Sequence, residues 1–349
     1  MDTRYTPEQE ELRHTARRLA RELGPHGVAD LDDEKRKGRV AEAVRDAGWL
    51  ELRHDAGDGA PLASGVEAAI IADALGEAVA DVSFAGPVLA ADLARRAGAA
   101  PIDEAVVAFA SDLAGAAVVS GPTTESPAYA VDCPAKGAVA AYVLVPEGDD
   151  YRLAHVRVEA AADGSSADLT RAVRALPAGA SVLPVADQTR LLTPADVDAF
   201  ATLGLALTSA DLVGLMRGVL DLSVGYAQER RQYGVQIGSF QAVQHLLAEA
   251  RCLMEGAASA ALYPAWAVDC LAPDEARTAG CVAKAYAARA ARTVCETAVQ
   301  VYGGMGNTWE CIVHVYLRRA LLSAQWFGDD GAQLQQLQRT RLGATHGLS

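Results

Sequence analysis

The chain has 349 residues, of which 51% are hydrophobic, and its 31 basic against 45 acidic residues give a formal net charge of −14. This apolar fraction is enough for a buried core, which excludes a wholly disordered chain. The negative charge argues against nucleic acid, whose phosphates need a basic surface, and against an anionic membrane surface. A phosphate-bearing small ligand is still possible, because a few local arginines can bind it.

The N-terminus is charged and amphipathic and lacks the apolar segment of a signal peptide, so we expect a cytoplasmic protein. Charged residues interrupt the apolar stretches before they reach the length of a membrane span. The six cysteines lie far apart and form no CxxC pair. We therefore predict no metal site and no disulfide framework.

Residues 1–100 are predicted to form an N-terminal helical domain. Thr6 and Gln9 have the spacing of a capping box, and apolar residues then recur at helical intervals until Gly24. Further helices are predicted over residues 34–47, 66–75 and 88–97.

The pattern changes over residues 101–190, which we predict to be a trimmed, β-rich middle domain. Short apolar runs alternate there with clusters of Gly, Pro, Ser and Asp, as is typical of strands and turns. Strands are predicted over residues 106–110, 116–119, 138–145 and 151–158.

Residues 191–349 return to helical spacing and predict a C-terminal four-helix bundle. Its helices are predicted over residues 194–229, 241–270, 273–302 and 308–324. The predicted fold class is therefore mainly α with a small β domain. This order excludes the alternating βαβ dinucleotide fold, and the sequence has no GxGxxG after a strand, Walker loop, HExxH or GxSxG.

Two segments carry the strongest functional signal. Residues 228–245 read QERRQYGVQIGSFQAVQH, and residues 300–310 read QVYGGMGNTWE, followed at 316–320 by YLRRA. Together they resemble the RxxFG…IG…FQ and QxxGGxGxTxE…Y…R patterns of the acyl-CoA dehydrogenase family. The segments AGWLEL at 47–52 and DALG at 73–76 resemble that family's early helices.

The resemblance covers nearly the whole chain and implies a helical domain, a β-barrel-like middle domain and a C-terminal four-helix bundle. It implies FAD as the cofactor, an acyl-CoA substrate and an electron-transfer flavoprotein or similar acceptor. It also implies an oligomer, because the matching residues of relatives hold the adenosine and pyrophosphate half of the FAD of a neighbouring protomer. Seven residues fall at these positions: Arg230, Tyr233, Gly234, Gln241, Gln300, Gly303 and Gly304.

The chemistry of these residue types suits a dinucleotide. The Arg230 guanidinium can bind a pyrophosphate through two charge-assisted hydrogen bonds. Gln241 lies in the first turn of a predicted helix, where backbone N–H groups and the helix dipole favour an anion. Paired glycines at 303–304 let a bulky ligand approach the backbone. Taken singly, however, Arg230 could be a helix C-cap and the glycines a helix end.

The sequence departs from the family at the catalytic base. Relatives carry a carboxylate in one of two places, and here Phe327 occupies the first while the second falls near Gly204. No acid occurs between residues 199 and 210. The ring-binding motifs of the middle domain are also missing, so no catalytic residue is predicted. Glu310 and Asp329 are the nearest alternative carboxylates.

A chain with the adenosine-binding motifs but without the base resembles the smaller subunit of heteromeric, α2β2 acyl-CoA dehydrogenases of lipid or sterol degradation. The expected partner is a larger catalytic subunit that supplies the base. Three alternatives stay open: an active homo-oligomer with a relocated base, a flavin-free scaffold subunit, and a flavin monooxygenase or nitro-compound oxidase on the same fold.

Overall fold

The structure is a computed structural model and describes residues 4–160 and 166–342. Its N-terminal helices are α1 (Pro7–Leu23), α2 (Glu34–Asp46), α3 (Gly65–Glu77) and α4 (Ala85–Arg96). The predicted capping box is confirmed, since the Gln9 amide donates to Thr6 Oγ1 (3.3 Å) and the Thr6 amide donates to Gln9 Oε1 (3.1 Å).

The middle of the chain forms a six-stranded mixed sheet in the order β5-β2-β1-β3-β4-β6. Its strands are β1 (Val106–Ala110), β2 (Ala128–Cys133), β3 (Val139–Glu147), β4 (Asp150–Val158), β5 (Ala172–Ala175) and β6 (Leu183–Pro184). β1 and β3 run parallel, and the other pairs are antiparallel. Alternate residues of β1 face opposite sides, so that Phe109 joins the helical core while Ala108 joins a second core within the sheet region. Where a β-barrel-like middle domain was expected, the structure has a six-stranded sheet with β5 and β6 at its edges.

The C-terminal part contains α5 (Pro194–Glu229), α6 (Gln241–Cys270), α7 (Pro273–Tyr302), α8 (Val313–Gln325) and α9 (Asp330–Leu342). A short hairpin, β7 (Arg231–Gln232) and β8 (Val235–Gln236), joins α5 to α6. α5 is the one helix in the described ranges that is long and apolar enough to cross a bilayer, and 94% of its most apolar window is buried inside this fold. It is the central helix of the bundle.

Most predicted elements are present, with three differences. Residues 116–119 form only isolated bridges, because this segment bonds to β1 through Ala117 and to β3 through Val119 without continuing along either strand. The strands β2, β5 and β6, the hairpin strands β7 and β8, and the helix α9 were not predicted. The fourth bundle helix begins at Val313, later than predicted, after a 3₁₀ turn over Gly303–Asn307.

A buried ionic network joins the three regions of the chain. The Asp211 carboxylate of α5 accepts from Arg319 Nη2 (2.6 Å) and Ser323 Oγ (2.7 Å) of α8, and it lies 3.1 Å from Arg171 Nη2. Arg319 also donates to Ala80 O (2.6 Å) in the N-terminal region. Burial disfavours the ionised acid, but the two guanidiniums outweigh it and hold the pKa of Asp211 below its usual value.

We expect Asp211→Ala to lower the free energy of unfolding by about 3–5 kcal/mol, because it leaves the buried Arg319 guanidinium without its ion-pair partner and Arg171 with only Asp132 (3.4 Å). Urea denaturation measures this change. Glu296→Ala is the matched control, since it removes an exposed partner of Arg292 and should change stability by less than about 1 kcal/mol. Equal effects of the two variants would contradict a central role for Asp211.

Candidate functional site

The structure brings all seven predicted cofactor residues to one end of the bundle. A small apolar cluster of Ala227, Ile237 and Val301 packs the end of α5, the hairpin and the end of α7 together. Phe240 directly precedes α6, and its amide donates to the carbonyl oxygen of Ile237 (3.1 Å). The cluster explains how residues 70 positions apart in the two motifs, such as Arg230 and Gln300, come to share one surface.

The hairpin after Arg230 has a local explanation. Tyr233 and Gly234 both have positive φ (53° and 81°), as the two central residues of a tight hairpin turn require. The Tyr233 side chain is 95% exposed and meets the Phe240 ring edge to face at 6.4 Å. An exposed aromatic ring at this turn is free to contact a ligand or another chain.

The polar groups at this end of the bundle are open. Within the described residues the Arg230 guanidinium has no hydrogen-bond or ion-pair partner, while its backbone is fixed by bonds to Tyr226 O and from the Ile237 amide (both 2.8 Å). A Cβ atom added at Gly303 or Gly304 would meet nothing within 4 Å. A free guanidinium beside open backbone fits the anionic, adenosine-bearing half of a dinucleotide.

The two family positions for the base lie in contact with each other at a different place, between the bundle and the sheet. The Phe327 ring lies on Gly204 so closely that a Cβ atom added at Gly204 would overlap three of its ring carbons. Neither position carries a group that can accept a proton. A side chain at Gly204 and the Phe327 ring cannot coexist without movement.

Four aromatic rings fill this region, and we call them the aromatic plug: Phe109, Phe200, Trp326 and Phe327. Each is at most 1% exposed, and the Phe109 ring centroid lies 5.0 Å from that of Phe327 and 5.7 Å from that of Trp326. Three of the chain's five phenylalanines meet here. The residues at this point fill the space between sheet and bundle and do not fit a flavin ring.

Backbone hydrogen bonds keep Phe327 in place although its φ of 67° is unusual for an aromatic residue. The Phe327 amide donates to Leu113 O (2.9 Å) in the loop after β1. Gln333 Nε2 of α9 donates to Phe327 O (2.6 Å) and Gly328 O (3.2 Å). The loop therefore ties the bundle to the sheet directly across the region that the plug fills.

The two alternative carboxylates, Asp329 and Glu310, are not placed as a catalytic base. Asp329 accepts from the Ala332 amide (2.8 Å) and caps the start of α9. Glu310 is exposed and precedes α8, whereas Phe327 follows this 13-residue helix, which is about 20 Å long. Nothing in this geometry favours either as a relocated base.

Sequence reasoning missed two groups that matter here. Phe109 and Phe200 lie in different regions, and their convergence on Phe327 depends on packing. Lys284 lies in α7 at an ordinary helical position, yet it is fully buried and donates to the carbonyl oxygens of Ser323 and Trp326 (2.8 Å to Trp326). A lysine in an otherwise alanine-rich helical stretch is the only hint of it in the sequence.

We expect Gly204→Ala to destabilise the chain by about 1–3 kcal/mol, because the added methyl group overlaps the Phe327 ring. Gly225→Ala in the same helix is the control, since a Cβ atom there meets nothing within 4 Å; it should be neutral or stabilising by up to about 1 kcal/mol. Urea denaturation of both variants, and of Gly204→Ala/Phe327→Ala, tests the contact. If the second substitution did not offset part of the first, the two sites would not be coupled.

Lys284 predicts a pH dependence of stability. Burial, only partly offset by Asp211, lowers the pKa of its amine from 10.5 to about 7. At pH values between these two pKa values, the Lys284 amine is protonated in the unfolded chain but not in the folded one. The free energy of unfolding should therefore rise with pH in this range. The difference in stability between wild type and Lys284→Met, measured by urea denaturation from pH 6 to 10, should be flat below about pH 7 and increase above it. A constant difference over the whole range would contradict the lowered pKa.

A family model described as the acyl-CoA dehydrogenase C-terminal domain matches residues 202–342. Among curated proteins, IpdE2 of Mycobacterium tuberculosis, an acyl-CoA dehydrogenase, is 31% identical over 349 residues, covering 95% of this chain and 96% of that protein. FadE34 of the same organism, also an acyl-CoA dehydrogenase, is 32% identical over 257 residues, which are 72% of this chain but only 35% of FadE34. The chain likewise spans 50% of IpdE2 of Mycolicibacterium smegmatis, at 33% identity.

Solved structures share the fold along the whole chain. The ChsE4-ChsE5 complex of Mycobacterium tuberculosis includes a chain with a TM-score of 0.76 and 24% identity, covering 99% of this chain and 100% of that one. The Tcur3481-Tcur3483 steroid ACAD has a TM-score of 0.74 and 22% identity, covering 97% and 99%. At these identities the likeness concerns the fold alone.

FAD is the cofactor that goes with this family and fold, as predicted. PigA with FAD and proline, at a TM-score of 0.73 and 16% identity, covers 99% of this chain and 100% of its own. With the two motifs in place at one end of the bundle and a relative matched from end to end, the chain belongs to the acyl-CoA dehydrogenase family.

Proposed function

We propose that this chain is the subunit of a heteromeric, FAD-dependent acyl-CoA dehydrogenase that lacks the base, and that it completes the flavin site of a larger catalytic subunit. One observation carries the proposal: the Phe327 ring lies on Gly204, so both family positions for the base are apolar and in mutual contact. Among the described residues, neither of these two positions offers a proton acceptor, and the Phe327 ring leaves no space for a flavin ring against Gly204.

The reaction requires a carboxylate that removes the proton alpha to the thioester. FAD, when bound, accepts the hydride equivalent from the beta carbon. In the proposed assembly the partner subunit supplies the carboxylate and the ring pocket. The aromatic plug gives this chain a closely packed apolar interior at the matching place, and the chain takes no direct part in proton transfer.

This chain would contribute through its two cofactor motifs, which lie at the end of the bundle away from the aromatic plug. Arg230 would bind the pyrophosphate of the partner's FAD, with Gln241 and Gln300 as further hydrogen-bonding side chains. Tyr233 offers a ring face, while Gly234, Gly303 and Gly304 leave the backbone accessible. The seven residues are exposed. Among the described residues, no hydrogen-bond partner competes for the side chains of Arg230, Gln241 and Gln300, which supports a role toward a neighbouring chain.

The relatives suggest a setting for this activity. The names ChsE4-ChsE5 and Tcur3481-Tcur3483 each join two proteins, and the second is described as a steroid ACAD. By analogy we propose a cytoplasmic α2β2 assembly that acts on a bulky acyl-CoA of lipid or sterol degradation. An electron-transfer flavoprotein or similar carrier would receive the electrons.

Flavin stoichiometry tests the proposal. The chain is expressed alone and together with a larger acyl-CoA dehydrogenase encoded beside it, and flavin per chain and dehydrogenation of acyl-CoA are measured. We expect one FAD per pair of unlike chains and activity only in the complex. One FAD per chain with full activity of the chain alone would establish the homo-oligomer instead, and a complex without flavin would establish the scaffold.

Within that complex, Arg230→Ala should reduce FAD retention by tenfold or more, because it removes a charge-assisted contact worth about 1.5–3 kcal/mol. Dialysis followed by absorbance measures the retained flavin. Arg251→Ala is the control, since Arg251 is an exposed α6 arginine paired with Glu255 and should leave FAD retention unchanged. Equal FAD retention in the two variants would show that Arg230 does not bind FAD.

A further inference from the structure

Lys284 carries an unusual buried amine. Its side chain is fully buried, and in the described part of the chain no carboxylate lies within the 4.0 Å that an ion pair requires. The amine instead donates to Ser323 O and, at 2.8 Å, to Trp326 O. A lysine without an ion-pair partner is costly to bury, so its two hydrogen bonds are its compensation in this position.

Those two acceptors lie where α8 ends. The last carbonyl groups of a helix have no partner within the helix and carry its negative partial charge. Lys284, reaching from α7, satisfies two of them in the turn that directly precedes Phe327. The Trp326 amide continues the helix by donating to Leu322 O (2.9 Å), and only then does the chain turn into the left-handed conformation of Phe327.

We infer that Lys284 is a positioning residue: by binding the carbonyl oxygens of Ser323 and Trp326 it holds the loop 326–328 so that the Phe327 ring covers Gly204 and closes the chain's own cleft. The inference rests on the proposed function, since a closed cleft matters because it leaves the flavin ring to the partner subunit. Leu113 and Gln333 bind the loop after this point, whereas Lys284 fixes the direction in which the chain leaves α8.

Amide hydrogen exchange of the isolated chain tests the inference. In Lys284→Met, which keeps an apolar side chain of similar length, we expect exchange of residues 325–330 to accelerate by about tenfold or more, the equivalent of one or two lost hydrogen bonds. Exchange in the cores of α5 and α6 should stay within about twofold of wild type. Lys136→Met is the matched control, because the exposed Lys136 amine pairs only with Glu34 among the described residues, and it should change neither segment.

Lys284→Gln provides the rescue. Its amide can donate to one of the two carbonyl oxygens, so we expect an acceleration between those of wild type and Lys284→Met, and this variant decides the matter if Lys284→Met does not fold. Unchanged exchange at 325–330, or a uniform acceleration through the whole chain, would overturn the positioning role. This measurement uses the isolated chain without flavin. Its result is therefore independent of the flavin stoichiometry of the complex, and either the positioning role or the proposed function can be contradicted without the other.

Discussion

The constraint on which the rest of this structure depends is the carboxylate of Asp211, buried in the middle of α5. A charge in that position is stable only with fixed partners, and the partners come from different parts of the chain: Arg319 from α8 and Arg171 from the segment leading into β5. Arg319 in turn binds Ala80 O near the N-terminal helices. One carboxylate therefore sets the position of α8 against α5, the sheet and the N-terminal region.

The position of α8 decides what the chain can do chemically. Its C-terminal end delivers Trp326 and Phe327 into the space beside Gly204, and Lys284 binds the carbonyl groups from which the loop departs. That space is filled with aromatic rings. The opposite end of the bundle presents exposed glycines and the Arg230 guanidinium, which has no partner among the described residues. The two ends of the bundle therefore differ in character, in keeping with the proposed role of completing a partner's flavin site.

Much of this architecture could be predicted from the sequence, because helix starts and apolar spacing are local. The capping box at Thr6, the strand at 106–110 and the long helices of the bundle all lie where the pattern indicated. The elements that the pattern missed have weak local signals. β5 has only four residues, and β2 pairs with both β1 and β5, which come from distant segments. α9 has weak amphipathic spacing and is held by capping and by contacts of Gln333.

Residue identities alone indicate that both family positions for the base are apolar and that the cofactor motifs are retained. The sequence shows Phe327 and Gly204 where an acid would stand, and Arg230, Gln241 and Gln300 in motifs that relatives share. Three features depend on tertiary packing. The Phe327 ring contacts Gly204, Phe109 and Phe200 pack around that contact, and Lys284 binds the carbonyl oxygens before the loop. The sequence states the residue type at each position. The close packing of rings and the partners of a buried charge arise only when folding brings distant segments together.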